Sequence, residues 1–185
     1  MQRRQLLIGA TAVLVGASVR AQDQKSSRQT EVKAKAMEAL QDFYKSDPKL
    51  QDMVAKAPGY AVFTTFGLSF GLGGAGGKGI AHDNKTSQDT YMSIAQASAG
   101  VQLGASGTRY LFVFETPKAL TDFVDKGWDA SAGAAAGAGT GGSSANVKAG
   151  AGNFTGGRMY ALTKSGLQAG AAVSGLKAWK DKDLN

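Results

Sequence analysis

The chain has 185 residues, a formal net charge of +7, 26 glycines and no cysteine. Lack of cysteine excludes a disulfide framework, a thiolate metal site, a cysteine nucleophile and an anchor through a lipidated cysteine. The length and the 43% hydrophobic content suit one domain with a core of its own.

Met1 to Ala21 combines an Arg3–Arg4 pair, an apolar run from Leu6 to Val15 and a Val19-x-Ala21 end. A basic start, a short apolar stretch and small residues before a cleavage point read as an export signal over 1–21. The apolar run is too short to span a bilayer. Twin arginines ahead of Gln5-Leu6-Leu7 fit the twin-arginine route, with an ordinary secretory signal as the alternative. These features predict an exported, periplasmic protein. Removal of the signal takes away three arginines and no acid, lowering the charge from +7 to +4. That excess permits contact with acidic lipid or nucleic acid and requires neither.

Residues 22–29 are polar and read as a disordered linker, leaving 30–185 as a single domain. Thr30 to Lys45 has an apolar stripe of Val32, Ala36, Ala39, Leu40 and Phe43, the pattern of an amphipathic helix. Ser46-Asp47-Pro48 stops it and starts a short second helix carrying Leu50, Met53, Val54 and Ala57, so 30–57 is helical. From Gly59 the period changes to two. Tyr60, Val62, Thr64, Phe66, Leu68 and Phe70 alternate with Ala61, Phe63, Thr65, Gly67, Ser69 and Gly71, as on the two faces of a strand. The second set shrinks toward glycine, which predicts a tightly curved sheet with one bare face.

Lys78 to Asp83 reads as a short strand, Asp83-Asn84-Lys85 as a turn, and Asp89 to Ile94 as a further strand. Ala95 to Ser106 alternates again, and Arg109 to Glu115 is apolar on both faces, as in a central buried strand. Thr116-Pro117 caps a helix near 117–126, with Leu120, Phe123 and Val124 inward and Gly127 at its end. The Ala/Gly-rich stretch from about 129 to 152 fits either a linker or small-residue strands. Gly157 to Thr163 and Gly166 to Gly175 form a last hairpin before Leu176 to Asn185. The fold class is α+β: N-terminal helices on a strongly curved, glycine-rich antiparallel sheet or small barrel.

Catalytic motifs fail on context. Gly71-Leu72-Gly73-Gly74-Ala75-Gly76 matches a dinucleotide fingerprint, but Gly77-Lys78-Gly79 cannot start the helix whose N-terminus would hold the pyrophosphate. A phosphate loop fails because Leu72 stands where its first glycine is needed. His82 is the only histidine, next to Asp83 in an expected turn, and reads as a surface residue. The acids are scattered, so no catalytic residue, metal site or cofactor is expected. The dispersed basic residues match no nucleic-acid module, and Phe63, Phe66 and Phe70 read as core.

Three ordered segments, GLSFGLGGAGGKGIA (67–81), QASAGVQLGASGTRYLFVF (96–114) and KSGLQAGAAVSGLKAWKDKDLN (164–185), resemble the SYLF-domain family. The glycine series Gly67, Gly71, Gly73, Gly77 and Gly79 carries the resemblance, with Gly100 and Gly104 around Gln102, and the closing Gly166, Gly170 and Gly175. An aromatic-proline element usual in the family is reduced here to Thr90-Tyr91-Met92. The resemblance implies a non-enzymatic lipid-binding module that contacts anionic phospholipids, with phosphoinositide-like head groups, at a membrane surface of the cell envelope. Family lipid contacts are associated with an amphipathic N-terminal helix and basic residues. Here the helix at 30–45 would supply apolar contact with Lys33 and Lys35, and Lys78, Lys85, Lys177 and Lys180 are further candidates. Actin filaments, bound by eukaryotic members, are not expected as a partner of an exported bacterial one. The alternatives are a structural or protein-interaction module of the envelope and, behind it, a small outer-membrane barrel.

Overall fold

The computed structural model describes residues 12–69, 72–99, 104–130, 152–154, 156–163, 166–169 and 176–185. Helices α1 (Ala12–Ser46) and α2 (Lys49–Lys56) precede strands β1 (Gly59–Ser69), β2 (Leu72–Asp83), β3 (Gln88–Ala99) and β4 (Gly104–Phe114). Helix α3 (Pro117–Lys126) follows, then β5 (Trp128–Asp129), β6 (Gly152–Phe154), β7 (Gly157–Thr163), β8 (Gly166–Ala169) and β9 (Leu176–Lys180). The strands form one antiparallel sheet in the order β5-β9-β3-β2-β1-β4-β7-β6, with β8 also paired to β7. The architecture is α+β, with three helices packed on a strongly curled sheet.

Register sorts the alternating side chains into two cores. Tyr91, Ile80, Val62, Leu111 and Tyr160 lie in one row across five strands. That face packs on Ala36, Ala39, Leu40 and Phe43 of α1 and on Leu50 and Val54 of α2. The neighbouring row of Met92, Gly79, Phe63, Tyr110 and Ala161 faces the other way, toward Leu120 and Phe123 of α3. The Phe112 ring meets Phe123 at 5.1 Å, Trp128 at 5.2 Å and Phe154 at 5.6 Å. Burial on both faces explains why β4 is apolar throughout its second half. At these rows helices cover both faces of the sheet, whereas a membrane barrel turns one face to lipid.

The Ala61, Phe63 and Ala81 side of β1 and β2 thus packs with α3, and close approach of the neighbouring strand explains Gly79. A Cβ placed on Gly79 would run into the Val62 carbonyl oxygen and lie 2.7 Å from Phe63 Cδ1. Gly76, on the opposite face, would meet nothing within 4 Å. Gly67, Gly73, Gly77 and Gly79 lie on β1 and β2, Gly104 on β4 and Gly166 on β8, whereas Gly71, Gly100, Gly170 and Gly175 fall outside the described residues.

Local signals at the ends of elements hold. Thr116 Oγ1 accepts from the Ala119 N–H at 3.2 Å at the start of α3. Gly127 ends that helix at φ +74°, its N–H donating to the Phe123 carbonyl at 3.1 Å, a backbone region that glycine enters without strain. In the β2–β3 turn, Asn84 Nδ2 donates to the Val54 and Ala57 carbonyls, both at 2.8 Å, clamping the end of α2 to the sheet.

Several expectations are corrected. Residues 22–29 are not a disordered linker but part of α1, because Lys25 Nζ and Gln29 Nε2 each donate at 2.7 Å to the carbonyls of Asn185 and Leu184. The alternating stretch 95–106 is divided between β3, which ends at Ala99, and β4, which begins at Gly104. Alternation persists through a hairpin of small residues and so conceals it. Lys78 to Asp83 continues β2 rather than forming its own strand. Leu176–Lys180 is an additional strand, β9, paired to β3. Most of the Ala/Gly-rich stretch lies outside the described residues, as do 170–175 and the side chains of Phe66 and Phe70. Phe63 is core, at 0% exposure.

Candidate functional site

Two residues along from the apolar row under α1, the same sheet face turns polar. Ser93, Lys78, Thr64 and Arg109 share a row, and Trp179 of β9 extends it beside Ser93. In the next row on this face, Gly76 pairs with Ala95, and Lys177 lies beyond Ala95. Helix α1 seals the sheet only from Ala36 onward, with Val32 partly covered. N-terminal to that point a cleft of about 480 Å³ separates helix and sheet. Arg28, Glu31, Val32 and Lys35 form its helical wall, while Thr64, Gly76 and Lys78 contribute from the sheet. The C-terminal tail closes one side with Asp183 and Leu184.

Asp181 holds that tail in place. Its side chain is 5% exposed. Lys78 Nζ and Ser93 Oγ donate to Oδ2, the latter at 2.8 Å. The backbone N–H groups of Asp183 and Leu184 donate to Oδ1 at 3.0 and 3.2 Å. Burial pushes the Asp181 carboxyl up, but the hydrogen bonds from Lys78 and Ser93 and the lysine charge outweigh it, and the group sits below its ordinary value. Asn185 completes the anchor by imitating a strand residue: Oδ1 accepts from the Tyr91 N–H at 3.0 Å, and Nδ2 donates to the Tyr91 carbonyl at 2.8 Å.

A second polar cluster fastens α1 from its other flank. Lys33 Nζ lies 2.6 Å from Asp89 Oδ2, and His82 Nδ1 lies 2.6 Å from Asp89 Oδ1. Tyr60 packs against the His82 ring at a centroid distance of 5.1 Å. His82 is therefore not a turn residue at the surface; it lies on β2 with its side chain 23% exposed. Burial would raise the Asp89 carboxyl, yet its bonds to Lys33 and His82 hold it below the ordinary value. Burial also pushes the Tyr60 phenol up to about 12. Arg109 reaches Asp42 of α1 at 3.3 Å, adding a third tie.

The structure brings three of the six predicted lysines to the polar face and separates the other three. Lys35 and Lys78 line the cleft, and Lys177 stands on β9 in the row of Gly76. Lys35 pairs with Glu31 at 2.6 Å, and Lys177 with Asp129 at 3.7 Å. Lys33 is turned toward Asp89. Lys85 sits in the turn beyond Asp83, about 17 Å along β2 from Lys78 at strand rise. Lys180 is in register with Met92, whose row faces α3. The apolar stripe of α1 does not face outward either: Ala36, Ala39, Leu40 and Phe43 are at most 3% exposed. Sequence reasoning missed Arg28 and Trp179. Arg28 was concealed by the expectation of disorder. Trp179 is 40% exposed, and only the pairing of β9 with β3 brings it into the row of Lys78.

Among the described residues, no group of three His, Asp or Glu side chains could hold a metal ion. No helix among them is long and apolar enough to cross a membrane. Fold and site define a class: an α+β domain with a curled antiparallel sheet and a basic cleft between its long helix and one sheet face. Residues 95–185 match the family model described as Ysc84, Las17-binding protein actin regulator, and the chain belongs to this SYLF-domain family. It is also 33% identical over 147 residues to Beta cell expansion factor A of Aeromonas veronii, covering 79% of this chain and 54% of that protein. The chain therefore spans about half the length of that relative. The family match takes in the second and third motif segments, while the glycine strand at 67–81 lies upstream of it.

Proposed function

We propose that this domain binds anionic phospholipid at a membrane surface of the cell envelope and catalyses no reaction. The observation that carries the reading is the exposed Trp179 in the row of Lys78, two strands away, on the side that also presents Lys177, Lys35 and Arg28. Tryptophan favours the boundary between head groups and acyl chains. Each cation near an acidic surface contributes about 1 kcal/mol, so a cluster is needed for useful affinity. The ion pairs of Lys35 and Lys177 are solvent-exposed. Such pairs are worth about 0–1 kcal/mol, so phosphate oxygens can replace their partners at little cost. The buried stripe of α1 makes Trp179, rather than the helix, the apolar contact of the docked molecule.

Co-sedimentation with vesicles tests this. Binding is expected to acidic and not to neutral vesicles, with salt weakening it. Trp179→Ala and a Lys35→Ala/Lys177→Ala pair should each reduce it several-fold while leaving the fold intact. Absence of binding at every lipid composition would refute the proposal, and capture of a discrete envelope protein would then favour a protein-interaction module. An envelope location rests on the first 21 residues. Detection of a mature chain beginning at Gln22 in a periplasmic fraction would support it.

A further inference from the structure

The cleft has the layout of a site for one molecule, independent of any bilayer. Its charged lining residues Arg28, Glu31, Lys35 and Lys78 are exposed, whereas Leu184 is 2% exposed and Val32 is partly covered. Charge therefore stands at the opening and apolar surface lies behind it. Thr64 stands on the cleft face of β1, whereas Thr65, next along the strand, turns to the other face and gives its hydroxyl hydrogen to the Thr108 carbonyl at 2.9 Å. Gly76 leaves its side-chain position empty, with nothing within 4 Å of an added Cβ. The volume of about 480 Å³ lies within the range of small-molecule sites, roughly 300–1,000 Å³.

The charges specify the head group. Lys35 and Lys78 are already paired, with Glu31 and Asp181. Arg28 makes no ion pair among the described residues. Glu31 and Asp181 offset the charges of Lys35 and Lys78, so Arg28 is the lining cation left to meet an anion, on the opposite side of the charge balance from Asp183. We infer that this cleft binds a single-chain amphiphile with one anionic head, such as a long-chain carboxylate, with its alkyl chain over Gly76 between α1 and the sheet and its head at Arg28. The site shares cations with the proposed membrane face but needs no membrane.

Calorimetric titration with n-alkanoates of six to sixteen carbons, kept below their micelle concentrations, tests the inference, with acetate as the head group alone. Affinity should rise about fourfold per methylene and level off once the cleft is filled. Gly76→Phe should occupy the chain position and weaken binding at least tenfold, while Gly76→Ala stays within about twofold of the parent. Should Gly76→Phe not fold, Arg28→Glu, an exposed change, should weaken binding about tenfold at every chain length. Acetate binding as tightly as the longer acids, affinity independent of chain length, or unaltered binding by both Gly76→Phe and Arg28→Glu would each overturn the inference. Vesicle binding by folded Gly76→Phe should persist. Alkanoate binding without vesicle binding would remove only the membrane proposal, and vesicle binding without alkanoate binding would remove only this one.

Discussion

Replacement of Asp181 by asparagine tests how the C-terminal tail is held. The carboxylate accepts from Lys78 and Ser93 on one oxygen and from two backbone N–H groups on the other. An asparagine oriented to keep the backbone bonds turns its amide donors toward Lys78. The Ser93 hydroxyl can rotate and accept, but the ammonium cannot. A hydrogen bond to a charged group contributes about 1.5–3 kcal/mol. Because the Lys78 side chain is 48% exposed, water recovers part of this, and a loss of about 2 kcal/mol is expected. In a chain of this size that lowers the unfolding midpoint by about 4–8 °C. Asp181→Ala also strands the two backbone donors and should cost about 3–5 kcal/mol. The pH dependence has a definite sign. The folded-state value of Asp181 lies below its ordinary 3.8, so its stabilisation is complete above that value and lost as pH falls through the lower, folded one. Thermal unfolding followed by circular dichroism at pH 7 and across pH 2–5 reads both effects. Equal midpoints for parent and Asp181→Asn at pH 7, or a gap that does not narrow in acid, would refute the reasoning.

Gly79→Ala should destabilise by more than about 2 kcal/mol, because its Cβ meets backbone of the neighbouring strand, while Gly76→Ala should be neutral or mildly stabilising; urea unfolding separates them. Asp89→Asn should cost about 1–3 kcal/mol and speed amide exchange in α1 near Lys33, since it weakens the tie to a carboxylate that is 11% exposed. Because Asp89 too sits below its ordinary value, that difference should also fade on acidification. Tyr60 should titrate at about 12, read from phenolate absorbance and assigned with Tyr60→Phe. Unfolding frees the phenol to ionise near 10, so stability declines as pH rises above that value.

Signals that act within a few residues were legible in the sequence. The stripe from Ala36 to Phe43, the Thr116-Pro117 cap and the Gly127 stop each act over a turn or two of chain, and each appears where expected. The period of two over Gly59–Ser69 likewise specified a strand with one large-residue face and one small-residue face. What covers each face was not legible, because alternation distinguishes two sides without naming their partners. The small face meets α3, and the large face meets the stripe of α1 that the sequence offered for membrane contact.

The candidate site shows the same division. Lysines could be nominated from composition and position, but Lys33 and Lys35, two residues apart on one helix, project to different flanks and find different acids. Trp179 and Lys78 are 101 residues apart, and the β3 strand between them places them in one row. By itself the sequence determined the α+β class, the family motifs and the local starts and stops, since these depend on side-chain size, charge and backbone preference close along the chain. Strand order, the covering of both sheet faces, the Asp181 anchor and the cleft beneath α1 were decided only by tertiary structure, because each depends on register between segments far apart in sequence.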